Sequence, residues 1–180
     1  QYLGPLSRFK KTTIGFKYDL CILLSGPEPQ RTVFEKIILN EAKDFRGNVI
    51  LLRGLPGKLL VNELNNPGFE IKSHLPATEL STVLQQSKMV ISRCGYTTVM
   101  DLVKLQKRAI LVPTPGQTEQ EYLAHYLHQK NLFYCAEQKN FCLQDVLKNA
   151  GDFHYAELTI PQKDYVAVIE DFVRALKKNQ

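Results

Sequence analysis

With 180 residues, 44% hydrophobic and 23% charged, the chain has the size and balance of one globular domain with a sizeable core. No apolar run approaches the roughly 18–20 residues of a membrane helix, and no signal-peptide pattern opens the sequence. The net charge of +5 suits an anionic small molecule or an anionic membrane surface, but basic residues are not interleaved with stacking aromatics, so nucleic acid is not expected as a partner.

Gln1–Arg8 reads as an extended connector, and the start at Gln1 leads us to expect further residues upstream, with 1–17 joining a missing N-terminal domain to a domain over 18–180. Tyr18–Leu24 is a continuous apolar run, predicted as a buried strand, followed by Ser-Gly-Pro-Glu-Pro. From Gln30 to Lys43 the spacing of Val33, Phe34, Ile37, Ile38 and Ala42 predicts a helix. Asn48–Leu52 is the next strand, Arg53–Lys58 a Gly/Pro loop, Leu59–Leu64 ambiguous, and Phe69–Ile71 a weak third strand. A helix runs from Ala77 or Thr78 through Gln86, with Glu79 placed favourably in its first turn.

Met89–Ser92 is a strand and Thr97–Leu105 a helix; Ala109–Val112 is a strand stopped by Pro113. Glu119–Gln129 is predicted helical, Leu132–Cys135 a strand and Leu143–Asn149 a helix. Tyr165–Leu176 closes the chain with Val166, Val168, Ile169, Phe172, Val173 and Leu176 in an amphipathic pattern. Strands alternating with helices, and apolar throughout, belong to parallel sheets covered on both faces. The expectation is an α/β, doubly wound, mostly parallel six-stranded Rossmann-like sheet. Cys21, Cys94, Cys135 and Cys142 contain no CxxC pair and read as small buried hydrophobes in a reducing, cytoplasmic setting, with neither metal ligation nor disulfides expected.

Ligands of such folds bind beyond the carboxyl ends of the strands, so the loops there carry the chemistry. In Ser25–Arg31 two prolines remove backbone donors and there is no GxGxxG pattern, which disfavours a dinucleotide cofactor; Gly26, Gln30 and Arg31 are the candidates. In Arg93–Asp101, Gly95 permits close backbone approach, Thr97 and Thr98 offer donors at a helix start, and Asp101 can accept from a ribose diol. An ordinary strand–turn–helix with a Thr cap would look similar. In Pro113–Glu121 a rigid Pro/Gly loop leads into Gln and Glu, side chains that read sugar hydroxyls but also suit a solvated helix start. His125 and His128 stand at i, i+3, a spacing more often solvated than catalytic.

The stretches SRCGYTTVMD, AILVPTPGQ and TEQEYLAHYL resemble the C-terminal domain of glycosyltransferase family 28, typified by the peptidoglycan UDP-N-acetylglucosaminyltransferase. The family pattern is S-R-x-G-x-x-T-x-x-[ED], a strand ending in V-P, then D/E-Q-x-x-N-A. The resemblance implies the C-terminal half of a GT-B fold, binding a UDP-sugar donor without metal or other cofactor. It implies that Asp101 bonds the ribose hydroxyls, that Gly95, Thr97 and Thr98 approach the diphosphate, and that Gln120 and Glu121 meet the donor sugar. His74 and Leu75 would edge the uracil, and Arg8 would lie near the nucleotide. Arg93, Tyr96, Gly116 and Gln117 share these loops and complete the candidate set.

Asp101 is shorter than the usual Glu, Glu121 replaces a Gln, Ala124-His125 replaces Asn-Ala, and SGPEPQR replaces a glycine-rich loop. The resemblance further implies an acceptor, bound by the missing N-terminal domain or by a separate subunit, and work at the inner face of a membrane with peripheral contact. The catalytic base, the sugar (N-acetylhexosamine or hexose) and the acceptor are not assigned. Two alternatives stay open: a stand-alone donor-binding subunit, and a UDP-sugar hydrolase or epimerase on the same fold, although no acid–base pair stands out for the latter.

Overall fold

The computed structural model describes residues 6–57, 66–158 and 165–178. The ambiguous stretch Leu59–Leu64 falls outside them. In chain order the elements are β1 (Tyr18–Leu23), α1 (Gln30–Glu41) with a 3-10 turn at Ala42–Asp44, β2 (Val49–Leu52), β3 (Phe69–Lys72), α2 (Ala77–Gln85), β4 (Ser87–Ser92), α3 (Tyr96–Lys104), β5 (Ala109–Leu111), α4 (Thr118–Gln129), β6 (Tyr134–Cys135), α5 (Leu143–Asp152) and α6 (Tyr165–Lys178). The six strands form one sheet in the order β3-β2-β1-β4-β5-β6, every neighbouring pair parallel. The doubly wound parallel sheet expected from the sequence is therefore the fold.

Why the strands read as unbroken apolar runs is visible in the core. Alternate strand residues point to opposite faces, and both faces are covered. Leu20, Ile22, Val49, Leu51, Ile91 and Ile110 pack with Phe34 and Ile38 of α1 and Leu143, Val146 and Ala150 of α5. Their neighbours Cys21, Ile50, Leu52, Val90, Ala109 and Leu111 pack on the other face with Leu84, Val99, Leu102, Ala124 and Leu127 of α2, α3 and α4. Cys21 and Cys94 are buried, Cys135 and Cys142 half-buried, and all four are free thiols.

Two strand and helix limits differ from expectation for one reason. The segment Leu132–Phe133, predicted as the start of a strand, has its N–H groups bonded to Leu127 O at 3.0 and 3.4 Å, closing α4. Asn131, in the left-handed region (φ 56°), makes the turn. Only Tyr134–Cys135 is left to pair with β5. Likewise Lys107 N donates to Leu102 O (2.9 Å) past Gln106 (φ 50°), ending α3 without a glycine.

Residues 6–17 contain no helix or strand, yet they are fastened to the domain. Phe9 is buried in the second core face. Gln85 Oε1 accepts from Thr12 N (2.6 Å) while its Nε2 donates to Lys10 O (3.3 Å). Among the described residues no helix is long and apolar enough to cross a membrane. On α6, Val168 is buried but Ile169, Phe172, Val173 and Leu176 are exposed.

At the carboxyl end of the sheet, a buried ion network joins α1 to the loop after β2. Glu35 accepts from Arg31 Nη1 (2.8 Å) and from Arg53 Nε, and Arg31 Nε also donates to Glu28 (2.7 Å). Burial opposes ionisation of Glu35, but the two guanidinium groups outweigh it and hold the carboxyl below its ordinary range. Such a group contributes stability above its unfolded pKa that is lost as pH falls through the lower folded value. Glu35→Ala should cost about 3 kcal/mol in urea unfolding at pH 7, because it strands buried charge. The deficit should narrow in acid. A loss below about 1 kcal/mol would show that the network is not a stability element.

Candidate functional site

The strand order reverses between β1 and β4, because the chain winds outward through β2 and β3 and then returns to the other side of β1. The loops after these two strands splay apart there, opening a crevice at the switch point. The loop after β4 enters α3 through Gly95, which is the N-cap in an extended conformation (φ −79°, ψ 140°), with no side chain capping the helix. The Thr cap that would have made this an ordinary turn is absent. The first-turn N–H groups of Tyr96, Thr97 and Thr98 lack intrahelical partners by geometry and carry the positive end of the helix dipole. A Cβ placed on Gly95 would meet nothing within 4 Å, so the approach to this backbone is open.

A cavity of about 620 Å³ lies beside it, within the usual range for small-molecule sites. Its polar rim is Ser7, Arg8, Ser25, His74, Thr97, Thr98 and Asp101, and its walls include Leu23, Leu52, Leu75, Leu80 and Leu84. The structure thus brings together six residues singled out from the sequence: Arg8, His74, Leu75, Thr97, Thr98 and Asp101. Gly54 shapes the wall; with φ 68° and an added Cβ at 2.4 Å from Leu24 O, only glycine fits there.

Asp101 is half-buried and accepts a hydrogen bond from Ser7 Oγ at 2.5 Å. Burial raises its pKa, and neither the Ser7 bond nor the Arg8 charge fully offsets that. Ser7 carries no motif, and its role emerges only from the packing of the connector against α3.

The first loop behaves differently from expectation. Gly26 takes a left-handed conformation (φ 99°). Arg31, however, is 4% exposed, with Nε bonded to Glu28, Nη1 to Glu35 and Nη2 to Thr32, so its guanidinium is turned into the scaffold. Glu28 in turn is held down to about 2 by its hydrogen bond from Arg31. Gln30 Oε1 accepts from Gln138 Nε2 (2.9 Å), a clamp that fixes the amide through its oxygen and does not use its Nε2 donor. The loop is stiffened by these side chains and presents backbone.

The third loop is also self-tied. Gln120 Oε1 accepts from Thr114 N (3.1 Å), Gln120 Nε2 donates to Gln117, and Glu121 Oε1 accepts from Gly116 N (2.9 Å), with Gly116 at φ 81°. Each side chain keeps unused hydrogen-bonding capacity, the second Glu121 oxygen and a second Gln120 N–H. Glu121 faces a separate cavity of about 550 Å³ with His125, His128, Glu137 and Lys139. His128 Nδ1 accepts from Cys135 N (3.1 Å), and its ring packs against Tyr134 and Phe153, which makes it structural rather than solvated.

The loops meet where Thr114 Oγ1 would lie 3.7 Å from a Gly26 Cβ; this buried hydroxyl has no protein partner. Thr114 stands inside the third loop but between two prolines that draw attention to the backbone, and Gln138 stands in no motif, so neither is among the residues expected from the sequence. Among the described residues no three His, Cys, Asp or Glu converge as a metal site.

The sequence model of the glycosyltransferase family 28 C-terminal domain matches residues 39–167. The fold is similar to that of the glycosyltransferase SnogD from Streptomyces nogalater (TM-score 0.51, 14% identity, covering 83% of this chain and 38% of that one). It is similar to the spinosyn forosaminyltransferase SpnP (TM-score 0.54, 12% identity, 82% and 40%), and to MurG of Acinetobacter baumannii (TM-score 0.53, 14% identity, 74% and 40%). The chain spans 38–40% of the length of these three proteins. No curated protein sequence matches it.

The half-buried carboxyl gives a prediction independent of any ligand. A folded pKa raised above the unfolded one means that ionised Asp101 opposes folding; the penalty is absent in acid and is imposed as pH rises through the raised value. Asp101→Asn should therefore raise Tm at pH 7 by about 2 °C, an advantage that shrinks toward pH 4. A lower Tm at pH 7 would show that the Ser7 bond outweighs the burial penalty.

Proposed function

The chain belongs to the glycosyltransferase family 28 C-terminal domain family, and from that premise we propose that it is the donor-binding domain of a metal-independent glycosyltransferase using a UDP-sugar. The observation that carries this reading is the single cavity that unites Asp101, Thr97, Thr98, His74, Leu75 and Arg8 beside an uncapped helix N-terminus at the switch point of the sheet.

In this reading the ribose diol donates to Asp101, either beside Ser7 or in its place. The backbone of His74 and Leu75 edges the base over the leucine walls. The diphosphate lies across Gly95 and the N–H groups of Tyr96, Thr97 and Thr98, with Gly26 close by. Charge builds on the diphosphate as the glycosidic bond breaks, and the fixed dipole of α3 stabilises it without reorganisation. Gln120 and Glu121 present their unused groups to the sugar, and Arg31 is left to the scaffold.

The donor sugar is an N-acetylhexosamine or hexose. The acceptor and its activating base come from a further domain or a partner subunit, so this chain alone binds donor and does not transfer it. The four free thiols support a reducing, cytoplasmic setting, and the net charge of +5 supports peripheral contact with an anionic membrane face.

Calorimetric titration with UDP-GlcNAc, UDP-glucose, UDP-glucuronate and dTDP-sugars tests the proposal. A UDP-sugar should bind, and Asp101→Ala should weaken it about tenfold or more, the value of a charge-assisted hydrogen-bond pair. No binding by any donor, or unchanged binding by the variant, would contradict it.

A further inference from the structure

Two buried arginines stand at the carboxyl end of the sheet, and they are treated in opposite ways. Arg31 is paired with two carboxylates. Arg93, the first residue after β4, is 1% exposed and all its acceptors are neutral. Its Nη2 donates to Gln30 O (2.9 Å) and to Gln138 Oε1 (2.6 Å), and its Nη1 to Pro113 O (3.3 Å) and Val112 O (3.4 Å). The guanidinium lies 4.4 Å over the ring of Phe34. No carboxylate pairs with it among the described residues, and burial alone pushes its pKa down, to about 10. It remains a cation at neutral pH.

An enclosed charge without a counter-ion is costly, and folds ordinarily pair it. The position of this one is informative. Its acceptors are the first residue of α1 and the start of the third loop, and Gly95, the N-cap of α3, is two residues on in the chain. Its charge therefore underlies the crevice between two helix N-termini, where its field is poorly screened by water. The orphaned Thr114 hydroxyl, buried beside Gly26 where the first and third loops meet, is a second group left unsatisfied by the protein itself.

We propose that Arg93 is a positioning residue whose unpaired charge selects ligands bearing a diphosphate: the ligand anion is its missing counter-ion, held against the crevice by the field of the guanidinium and not by contact with it. This rests on the nucleotide reading above. Arg93 is too buried to touch the ligand; its effect on the ligand is electrostatic, and its four contacts serve the stability of the loops. Lys107 provides an internal control. It too is a buried cation with no carboxylate partner among the described residues, 8% exposed and donating to Gln85 O (3.1 Å), but it precedes β5 at the opposite, amino end of the sheet.

The test is displacement of a bound UDP-sugar by UDP and by uridine, which carry the same nucleoside with and without the diphosphate. Arg93→Gln should lower the UDP-to-uridine affinity ratio at least about tenfold while uridine changes less than about threefold. Arg93→Lys keeps the charge but not the four contacts; it should lower Tm yet keep the ratio within about threefold. Lys107→Gln should lower Tm and leave the ratio unchanged. Equal weakening of UDP and uridine in Arg93→Gln would overturn the proposal by showing packing alone. If that variant does not fold, loss of the ratio in Arg93→Lys overturns it and retention supports it. Failure of the unmodified chain to bind any UDP-sugar would remove the nucleotide reading first and this proposal with it, before any variant is compared.

Discussion

The parallel pairing of β1 with β4 is the constraint from which the rest of the molecule follows. It places Leu23 opposite Ser92, so that both strands end at the same level and their loops leave in opposite directions. Because every strand is parallel, all the carboxyl ends lie on one edge, and the loops that carry chemistry gather there. Because both faces of the sheet must be covered, helices follow β1, β3, β4, β5 and β6, and each begins at that same edge. Helix N-termini are thereby aimed at the crevice without any side chain being chosen for the purpose. Gly95 and Gly26 then matter for what they omit, leaving backbone N–H groups open to approach.

Onto this frame the chain adds three charged devices that differ in how they are satisfied. The Arg31–Glu35–Arg53 network is closed, with carboxylates matched to guanidinium groups, and it fixes α1 against the loop after β2. Arg93 is hydrogen-bonded but not neutralised, and it joins four chain segments beneath the crevice. Asp101 is half-buried and satisfied on one oxygen by Ser7, and burial makes its ionisation costly. The gradient from closed to open charge runs from scaffold to site. Proteins commonly leave such groups unsatisfied where function needs them.

Much of this was legible in the sequence because it depends on local pattern. The apolar runs of Tyr18–Leu24 and Asn48–Leu52 announce strands buried on both faces, and the turn from Gly95 to Asp101 announces an open helix start. What was not legible depends on side chains meeting across long sequence separations. Gln30 and Arg31 look like exposed side chains at a helix start, yet Gln138, 108 residues away, donates to the Gln30 oxygen and fixes that amide, and Glu35, one turn further along the same helix, draws Arg31 inward. Ser7 reaches Asp101 across 94 residues, and no motif marks it. Leu132–Phe133 has strand-forming side chains, but its backbone donors are used to end α4, a competition that apolar pattern cannot reveal.

Two cavities lie along the same edge of the sheet, one bounded by Asp101 and Thr97, the other by Glu121, His125 and Lys139. In the proposed function the first holds the nucleotide. The most direct test is an amide-resonance map of the isotopically labelled chain titrated with UDP-sugar. The largest shifts should fall on Gly95 to Thr98, Asp101, His74, Leu75 and Gly26, with smaller ones at Gln120 and Glu121. Shifts centred on Pro115, His125 and Glu137 to Lys139, with Gly95 to Asp101 unmoved, would contradict it.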